Sequence, residues 1–489
     1  MASKATIIGG GVIGAGWAAR FLLNGWDVAV FDPDPEAERK IGEVLDNARR
    51  ALPGLSDAPM PAEGRLTFHA DLAEAVAGAD WIQESVPERL DLKHRVLAQV
   101  QAACPETAVI GSSTSGFKPS ELQAGAARPS QIIVTHPFNP VYLLPLIEVV
   151  GTEANGGALI QRAKALLSSL GLFPLHLKKE IDAHVADRFL EAVWREALWL
   201  VKDGVATTEE IDEAIRMGFG LRWAQMGLFE TYRVAGGEAG MRHFMAQFGP
   251  ALKWPWTKLM DVPEFDDALV DLIAGQSDAQ SGHLSIRALE RARDDNLVAI
   301  LRALKAQDWG AGRVLGAHDA VRKAETGLTG RAVDGEVPDA VRTLARAVPL
   351  DWVDYNGHMT ESRYLDAFAQ STDRFMEYIG CDKAYIAAGK SYFTAESHIR
   401  HLDEALAGTR IEVTTRMLVG AGKKLHLWHE MRAGERLLAT GEHFLLHVDL
   451  STRRSCPPEP QVAEGLAAVA AVHVGLPWPE AAGASIRRP

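Results

Sequence analysis

A histidine and a carboxylate with the spacing of an acid–base pair lie in the first third of the chain. His136 ends an apolar run in QIIVTHPFNP that predicts a strand, and Glu148 follows twelve residues later in LIEVVG. A second strand returning beside the first would bring the carboxylate to the imidazole. Such a pair suits alcohol oxidation, because the imidazole takes the hydroxyl proton and the carboxylate stabilises the imidazolium. From the spacing alone, a structural histidine with satisfied hydrogen bonds is equally compatible.

A glycine-rich turn at the start of the chain predicts a dinucleotide site. Gly9, Gly11 and Gly14 fit G-x-G-x-x-G between the apolar strand KATII and the helix-like WAARFLLNG. These glycines permit a tight turn, a close approach of the backbone to a pyrophosphate, and close packing of helix on strand, and the helix N-terminus favours phosphate. Asp32 ends the next predicted strand, where a carboxylate accepts the ribose hydroxyls and repels a 2′-phosphate. Together these features predict NAD as the cofactor.

A second polar cluster lies far downstream, in DWVDYNGHMTES. Asp354, Asn356 and His358 precede a helix expected at roughly 361–379. Thioester hydrolysis needs a carboxylate that activates water or attacks the carbonyl, and N–H donors for the oxyanion, which a helix N-terminus offers. The alternative is an Asx turn and helix cap without chemistry.

The elements that must position these residues change character along the chain. Apolar strands alternating with helices over 1–180 predict a Rossmann-type α/β domain, and 181–325 has a helical pattern. A polar, Gly/Ala-rich stretch at 326–342 predicts a linker. Alternating strands around one helix over 343–460 predict an α+β domain, and residues 461–489 are predicted to form a C-terminal tail.

Length and composition exclude several classes. A chain of 489 residues is expected to form two to four domains. The net charge of −13 argues against a nucleic-acid partner, which needs a basic face. No apolar run reaches the ~18 residues of a membrane span, and the first strand leaves no room for a signal peptide. The three cysteines lack metal-ligand spacing, so a reduced, cytoplasmic protein without a metal site is expected.

Residues 1 to about 320 resemble the 3-hydroxyacyl-CoA dehydrogenase superfamily in IIGGGVIGAGWA, ESVPERLDLK, SSTSG, THPFNP and LIEVV. The resemblance implies that His136 is the catalytic base and Glu148 its partner. It also implies that Ser115 contacts the substrate and that Glu88 and Lys93 lie on the cofactor side. The helical domain would close over the cofactor and form a homodimer.

The helical region departs from the fatty acyl-CoA enzymes. Asp187 in Ala-Asp-Arg replaces a family asparagine near the reacting centre, and GFGLRWAQMGLFETYRVAGG lacks their Gly-Pro pattern. It is more similar to the branch that acts on small polar hydroxy acids such as gulonate and carnitine. A new carboxylate could favour a cationic substrate, and aromatic rings could bind a quaternary ammonium at roughly 0.5–2 kcal/mol each. The candidate substrate contacts are Arg222, Trp223, Phe229 and Tyr232, although most such aromatics are core or interface residues.

The C-terminal domain resembles the hotdog-fold acyl-CoA thioesterases, whose Asp-x-x-Gly-His segment enters the central helix. Asp354 falls on their catalytic aspartate. Many relatives continue with two asparagines where this chain has Thr360 and Glu361. Asn356, His358 and Glu361 are candidate substrate contacts; either His358 or Glu361 assists Asp354, or Asp354 acts alone. Aromatic candidates for a second trimethylammonium site are Trp352, Tyr355 and Trp428.

The two resemblances constrain each other. They imply small-molecule substrates, with carnitine oxidised by NAD to 3-dehydrocarnitine in the first half and betainyl-CoA hydrolysed to glycine betaine and CoA in the second. One alternative is a hydroxyacyl-CoA or gulonate dehydrogenase carrying a general acyl-CoA thioesterase. Another is a non-enzymatic NAD-binding protein of the crystallin kind.

Overall fold

The structure is a computed structural model of the chain. It describes residues 3–56, 58, 60–235, 240–248, 257–258, 266–325, 330–483 and 486. The chain divides into two compact units, residues 1–48 with 62–316 and residues 49–61 with 317–489. Within the described residues, every helix is too short or too polar to cross a membrane.

The first unit is built on an eight-stranded sheet in the order β3-β2-β1-β4-β5-β6-β7-β8, parallel except for the β6–β7 pair. The central strands are buried along their length, as expected of strands covered on both faces. Parallel strands bring their carboxyl ends to one edge of the sheet, where polar groups meet a ligand. The strands are β1 (Lys4–Ile8), β2 (Asp27–Phe31), β3 (Leu66–His69), β4 (Trp81–Glu84), β5 (Val109–Ser112), β6 (Ile132–Pro137), β7 (Leu146–Val150) and β8 (Phe173–Leu177).

Helices fill the connections of this sheet and then dominate the chain. Thr207 and Glu210 form a capping box at the start of α8, which explains where that helix begins. The helices are α1 (Val12–Leu22), α2 (Ala37–Ala51), α3 (Leu72–Val76), α4 (Leu90–Ala103), α5 (Pro119–Gln123), α6 (Gly157–Ser169), α7 (Ala186–Lys202), α8 (Thr208–Ala214), α9 (Gly220–Ala235), α10 (Gly240–Phe248), α11 (Asp267–Ser281), α12 (Ile286–Ala306) and α13 (Ala311–Glu325).

The second unit is an antiparallel sheet packed on one long helix, in the order β10-β13-β12-β11-β9 with β14 paired to β13. The predicted fold class, a Rossmann domain followed by helices and an α+β domain, is therefore confirmed. The strands are β9 (Val341–Ala347), β10 (Lys390–His401), β11 (Arg410–Ala421), β12 (Lys424–Ala433), β13 (Arg436–Asp449) and β14 (Arg454–Ser455). The helices are α14 (Glu361–Tyr378), α15 (Lys383–Ala387) and α16 (Pro460–His473).

Helix α14 packs on the sheet through residues at helical spacing. Phe368, Phe375 and Met376 are among its buried side chains. A Cβ at Gly441 in β13 would lie 2.8 Å from the ring of Phe368, so the glycine allows the helix to approach the sheet closely. The N-terminus of α14 thereby has a fixed position next to the Asp354 turn.

The stretches predicted as linker and tail belong to the second unit and pack on its core. Ala332 is buried and donates its N–H to the carbonyl of Tyr378, whereas 326–329 of the linker lie outside the described residues. In the tail, Val462 and Leu466 of α16 belong to the same hydrophobic cluster as Phe375. We therefore propose that the C-terminal domain includes residues on both sides of 343–460.

Candidate active sites

The glycine turn has the shape that a dinucleotide needs. A Cβ at Gly9, whose φ is +93°, would lie 2.6 Å from the carbonyl oxygen of Ser85, and a Cβ at Gly14 would lie 1.8 Å from the carbonyl oxygen of Gly9. At Gly11, the N-cap of α1, a Cβ would meet no atom within 4 Å. The first and third glycines are thus needed for packing, and the second borders open space at the helix N-terminus, where a pyrophosphate binds.

Asp32 lies beside this turn at the end of β2. Its Oδ2 accepts a hydrogen bond from the amide of Gly10 at 2.5 Å, and its Oδ1 accepts one from the amide of Asp34 at 2.7 Å. The half-buried carboxylate is thus bonded directly to the glycine turn. These residues fit NAD: the turn would hold the pyrophosphate, and Asp32 would accept the ribose hydroxyls.

His136 and Glu148 face each other across the antiparallel pair β6–β7, where they occupy opposite positions in the register. Nδ1 of His136 lies 3.0 Å from Oε2 of Glu148, and both side chains are buried. The other oxygen of Glu148 accepts from the amides of Val185 and Ala186 at 2.9 and 3.0 Å. Burial would raise the pKa of Glu148, but the hydrogen bonds from His136 and the two amides outweigh it and lower the pKa.

The second ring nitrogen of His136 faces two further candidates. Its Nε2 lies 3.3 Å from Oγ of Ser115 and 3.4 Å from Oδ2 of Asp187. The ring of Phe138 meets the imidazole edge-on, with centroids 4.9 Å apart. With the Nδ1 proton directed to Glu148, Nε2 of the neutral ring is a bare acceptor, so Ser115 donates to it. The imidazole thus lies between two carboxylates, in an orientation that would suit a general base.

Glu88 and Lys93 form a second polar cluster with a carboxylate that the sequence did not single out. Lys93 is buried, and its Nζ lies 2.8 Å from Glu84 and 3.3 Å from Glu88. Glu88 also accepts from the hydroxyl of Thr114 and from the amide of Gly116. Burial would raise the pKa of Glu88, but these hydrogen bonds and Lys93 lower it. Its position at the end of the apolar strand β4 could have identified Glu84 from the sequence, because polar residues at strand ends of such sheets lie near the ligand.

The four candidate substrate contacts of the helical region do not contact His136. Arg222, Trp223 and Phe229 lie exposed on α9. Tyr232 stacks on the ring of Phe244, with centroids 4.6 Å apart. Within the described residues, none of the four makes a hydrogen bond, ion pair or ring contact with His136.

The Asp354 turn brings several predicted residues together in the second unit. Oδ1 of Asp354 accepts from the amides of Asn356 and His358 at 2.8 and 3.3 Å, and Gly357 has the left-handed φ of +81°. Oδ2 of Asp354 accepts no hydrogen bond from the described residues. Nε2 of His358 lies 3.4 Å from Glu404. One oxygen of the Asp354 carboxylate is therefore held by its own turn, and the other is available. This geometry fits both an Asx turn and a catalytic carboxylate.

The N-terminus of the helix that follows offers backbone amides as donors, of which that of Arg363 donates to the carbonyl of Thr360. The N-cap of α14, Thr360, makes no side-chain cap hydrogen bond, and Glu361 is exposed in the first turn. The first amides of a helix lack intrahelical acceptors and carry the positive end of its dipole. Asp354 and these donors together offer both kinds of group that thioester hydrolysis requires.

A buried histidine network behind this helix was not predicted from the sequence. His429 contacts Thr415 through Nδ1 at 2.8 Å and Thr372 of α14 through Nε2 at 3.1 Å, and His443 contacts the same Thr372 at 3.3 Å. Burial lowers the pKa of His429 far below its usual value and lowers the pKa of His443 to about 4. Both rings are therefore neutral at neutral pH.

Comparisons with known proteins agree with this division of the chain. Residues 4–181 match the family described as 3-hydroxyacyl-CoA dehydrogenase, NAD binding domain, residues 184–265 match the C-terminal domain of the same family, and residues 348–466 match the thioesterase-like superfamily. A solved structure of an NAD-dependent 5-formyl-3-hydroxy-2-methylpyridine 4-carboxylic acid 5-dehydrogenase is 27% identical, covering 62% of this chain and 99% of that one with a TM-score of 0.53.

The fold and the two sites define an NAD-dependent dehydrogenase joined to a thioesterase-like domain, and NAD is its cofactor. A Ruegeria pomeroyi protein named L-carnitine dehydrogenase/betainyl-CoA thioesterase is 73% identical over 487 residues, which cover 100% of both chains. An Agrobacterium fabrum protein of the same name is 57% identical over 99% of this chain and 98% of its own. The chain belongs to the family of bifunctional L-carnitine dehydrogenase/betainyl-CoA thioesterases.

Proposed function

We propose that the first half oxidises L-carnitine to 3-dehydrocarnitine with NAD and that the second half hydrolyses betainyl-CoA to glycine betaine and CoA. The names and full-length coverage of the relatives support both activities. The structural observation that carries the choice of a cationic hydroxy acid is the ring of His136 between Glu148 at 3.0 Å and Asp187 at 3.4 Å. Glu148 binds the base at Nδ1, and Asp187 is placed to bind the cationic group of the substrate.

The chain's own residues supply the proton chemistry of the oxidation. NAD, held by the glycine turn and Asp32, would supply the acceptor for the hydride of the carbinol carbon. When the substrate displaces the Ser115 hydroxyl from Nε2 of His136, Nε2 takes the hydroxyl proton, Ser115 donates to the same substrate oxygen, and Glu148 stabilises the imidazolium that forms. The amides of Val185 and Ala186 keep Glu148 ionised and fixed. This arrangement pre-orders the base before the substrate arrives.

Asp187 is our candidate for recognition of the trimethylammonium group. In carnitine the ammonium nitrogen is bonded to the carbon next to the carbinol carbon. A hydroxyl held at Nε2 of His136 therefore brings the cation close to any carboxylate that borders the same nitrogen, as Oδ2 of Asp187 does. The asparagine of related dehydrogenases would offer a dipole instead of a charge, so this position favours a cation over a neutral chain.

In the second half, Asp354 is our candidate for the carboxylate that activates water or attacks the thioester carbonyl. Its Oδ2 is available, and the first amides of α14 would receive the developing oxyanion. His358 and Glu361 are candidates to hold the attacking water or the substrate, and Asn356 contributes through the backbone amide that orients Asp354.

The test is a substrate panel with the purified full-length chain. We expect NAD reduction with L-carnitine to exceed that with gulonate and 3-hydroxybutyryl-CoA, and we expect betainyl-CoA to release CoA. Activity only with gulonate or hydroxyacyl-CoA would replace carnitine by the alternative substrates. Lack of turnover with every substrate, despite NAD binding, would favour a non-enzymatic protein.

We also propose a cytoplasmic homodimer. Helix α7 exposes Phe189, Leu190 and Trp194 on the first unit, with exposed fractions of 55%, 57% and 55%. A cluster of large exposed apolar side chains is typical of an interface. In the second unit, β10 is an edge strand with a half-exposed Phe393, and edge strands are usually covered or paired. The three free cysteines are consistent with a reducing compartment.

A further inference from the structure

His184 is a fully buried histidine beside the dehydrogenase site that neither the sequence nor the proposed proton transfer has assigned. It immediately precedes Val185, whose amide binds Glu148. His184 has a φ of +50°, and Ala183 before it has a φ of +57°. Two successive non-glycine residues in the left-handed region are strained, and such strain persists only where the surrounding contacts determine the conformation.

Two hydrogen bonds of this segment lead to the loop that carries Ser115. Nε2 of His184 donates to the carbonyl oxygen of Thr114 at 3.1 Å, and the amide of Ala183 donates to the carbonyl of Gly116 at 3.3 Å. Thr114 also donates its hydroxyl to Glu88. The peptide before Ser115 is thus held from one side by Glu88 and from the other side by His184.

The protonation state of His184 follows from these contacts. A carbonyl accepts only, so Nε2 carries the proton and Nδ1 of the neutral ring is bare. That Nδ1 is buried without a hydrogen-bond partner in the described residues. Burial is the largest effect on the pKa of His184 and lowers it; the other groups that act on the ring are His136, which also lowers the pKa, and Thr114, Glu148 and Asp187, which raise it. The ring therefore stays neutral at neutral pH.

The imidazole also packs on the base itself, because the centroids of His184 and His136 are 5.5 Å apart at an interplanar angle of 43°. We propose that His184 is a positioning residue of the dehydrogenase: it fixes the Thr114 carbonyl so that the hydroxyl of Ser115 donates to Nε2 of His136. The inference rests on the proposed dehydrogenase activity, but its effect on His136 is measurable without turnover. Ser115 stabilises the neutral base, so a misplaced Ser115 would leave Nε2 next to Asp187 alone, which favours the imidazolium.

The experiment compares three variants of the full-length protein. Gln places a donor where Nε2 of histidine lies, whereas Leu has no donor and Asn is too short to reach the Thr114 carbonyl. We expect His184→Leu and His184→Asn to lower kcat roughly 10- to 100-fold, as misplacement of a catalytic group does, with KM changed less than about threefold. We expect His184→Gln to recover most of the activity. NAD binding, followed by quenching of protein fluorescence, should be unchanged in all three.

The pH dependence separates positioning from a structural role. The acid limb of kcat/KM should move to higher pH in His184→Leu and His184→Asn, and not in His184→Gln. The NMR signal of the His136 ring is assigned by its loss in His136→Asn. Its titration midpoint should also move to higher pH in His184→Leu and His184→Asn and not in His184→Gln, whether or not carnitine proves to be the substrate. A lower Tm with unchanged kcat and unchanged titration of His136 would overturn the inference, as would a His184→Gln variant no better than His184→Asn. If wild-type protein lacks turnover with carnitine, the function proposed above fails, and the NMR titration still decides the role of His184.

Discussion

Asp187→Asn removes the charge that we assign to the trimethylammonium group and keeps the size of the side chain. It also introduces the asparagine that the resemblance to the 3-hydroxyacyl-CoA dehydrogenases implies at this position. The matched control is Glu191→Gln, which removes the same charge one turn further along α7 from an exposed side chain whose ion pair with Arg195 spans 3.8 Å. Only the first change should affect recognition of a cation at the base.

The expected magnitude follows from Coulomb's law. Oδ2 of Asp187 lies 3.4 Å from Nε2 of His136, and a reacting hydroxyl oxygen lies about 3 Å from that nitrogen. Placing the ammonium ~5 Å from the carboxylate gives about 3.3 kcal/mol at an effective dielectric constant of about 20, and about 1.7 kcal/mol at about 40. The 20% exposure of the Asp187 side chain favours the lower value. Because 1.4 kcal/mol is a factor of ten, kcat/KM for carnitine should fall roughly 15- to 250-fold.

The assay is the initial rate of NADH formation with L-carnitine and with its neutral analogue, in which a carbon atom replaces the ammonium nitrogen. Asp187→Asn should lower kcat/KM for carnitine by roughly 15- to 250-fold more than that for the neutral analogue, since the loss of charge beside His136 affects both substrates and only the cation gains directly from the carboxylate. An equal loss with both substrates would refute the assignment, because it would mean that Asp187 acts on His136 and not on the cation. A ratio of kcat/KM for carnitine to kcat/KM for the neutral analogue that is the same in Asp187→Asn as in the wild type would refute it as well.

Two further predictions concern the separate sites and the stability of the second unit. His136→Asn should lower NAD reduction by about 10²- to 10⁴-fold, the usual contribution of a general base, and spare CoA release, whereas Asp354→Ala should do the reverse; a variant that lowers both rates would contradict independent sites. Acid should destabilise the second unit, because the pKa of His443 is about 4 when folded and about 6.5 when unfolded. This stability is complete above about pH 6.5 and is lost as the pH falls towards about 4, by about 3 kcal/mol for His443. Urea unfolding at a series of pH values checks this, and His443→Asn should flatten the dependence; an unchanged slope in that variant would contradict the assignment.

Much of the fold follows from local patterns in the sequence. The residues RAGE at 432–435 favour a hairpin turn, and β12 indeed ends at Ala433 and β13 starts at Arg436, with Gly434 at a φ of +60°. The pairing of His136 with Glu148 could be anticipated because THPFNP and LIEVV each read as a short strand, and two neighbouring strands leave few registers. Side-chain alternation then fixes which residues meet.

The contacts that could not be predicted depend on elements far apart in the sequence. His429 has the same strand parity as Leu425, Leu427 and Met431, so its place on the buried face was readable from KLHLWHEMRA. Its partner Thr372 lies on α14, and no pattern within either segment specifies that pairing. The same is true of Asp187, whose distance from His136 depends on where α7 begins. Local periodicity predicts which face of a strand or helix is buried and where the element ends, whereas the contacts between side chains of distant elements depend on tertiary packing.

Recognition of a cation in the second half must differ from that in the first. Trp352 was a candidate, but it is buried and the guanidinium of Arg346 lies 4.0 Å from its ring, with that of Arg363 at 5.9 Å. A trimethylammonium group would have to displace a cation that already gains the interaction with this ring. Trp428 is buried as well, with its indole N–H directed to Glu430. Tyr355, 96% exposed beside Asp354, is the remaining aromatic candidate in the described residues. We infer that any cation selectivity of the thioesterase depends on this exposed ring or on nearby carboxylates, so it should be weaker and more sensitive to salt than that of the dehydrogenase.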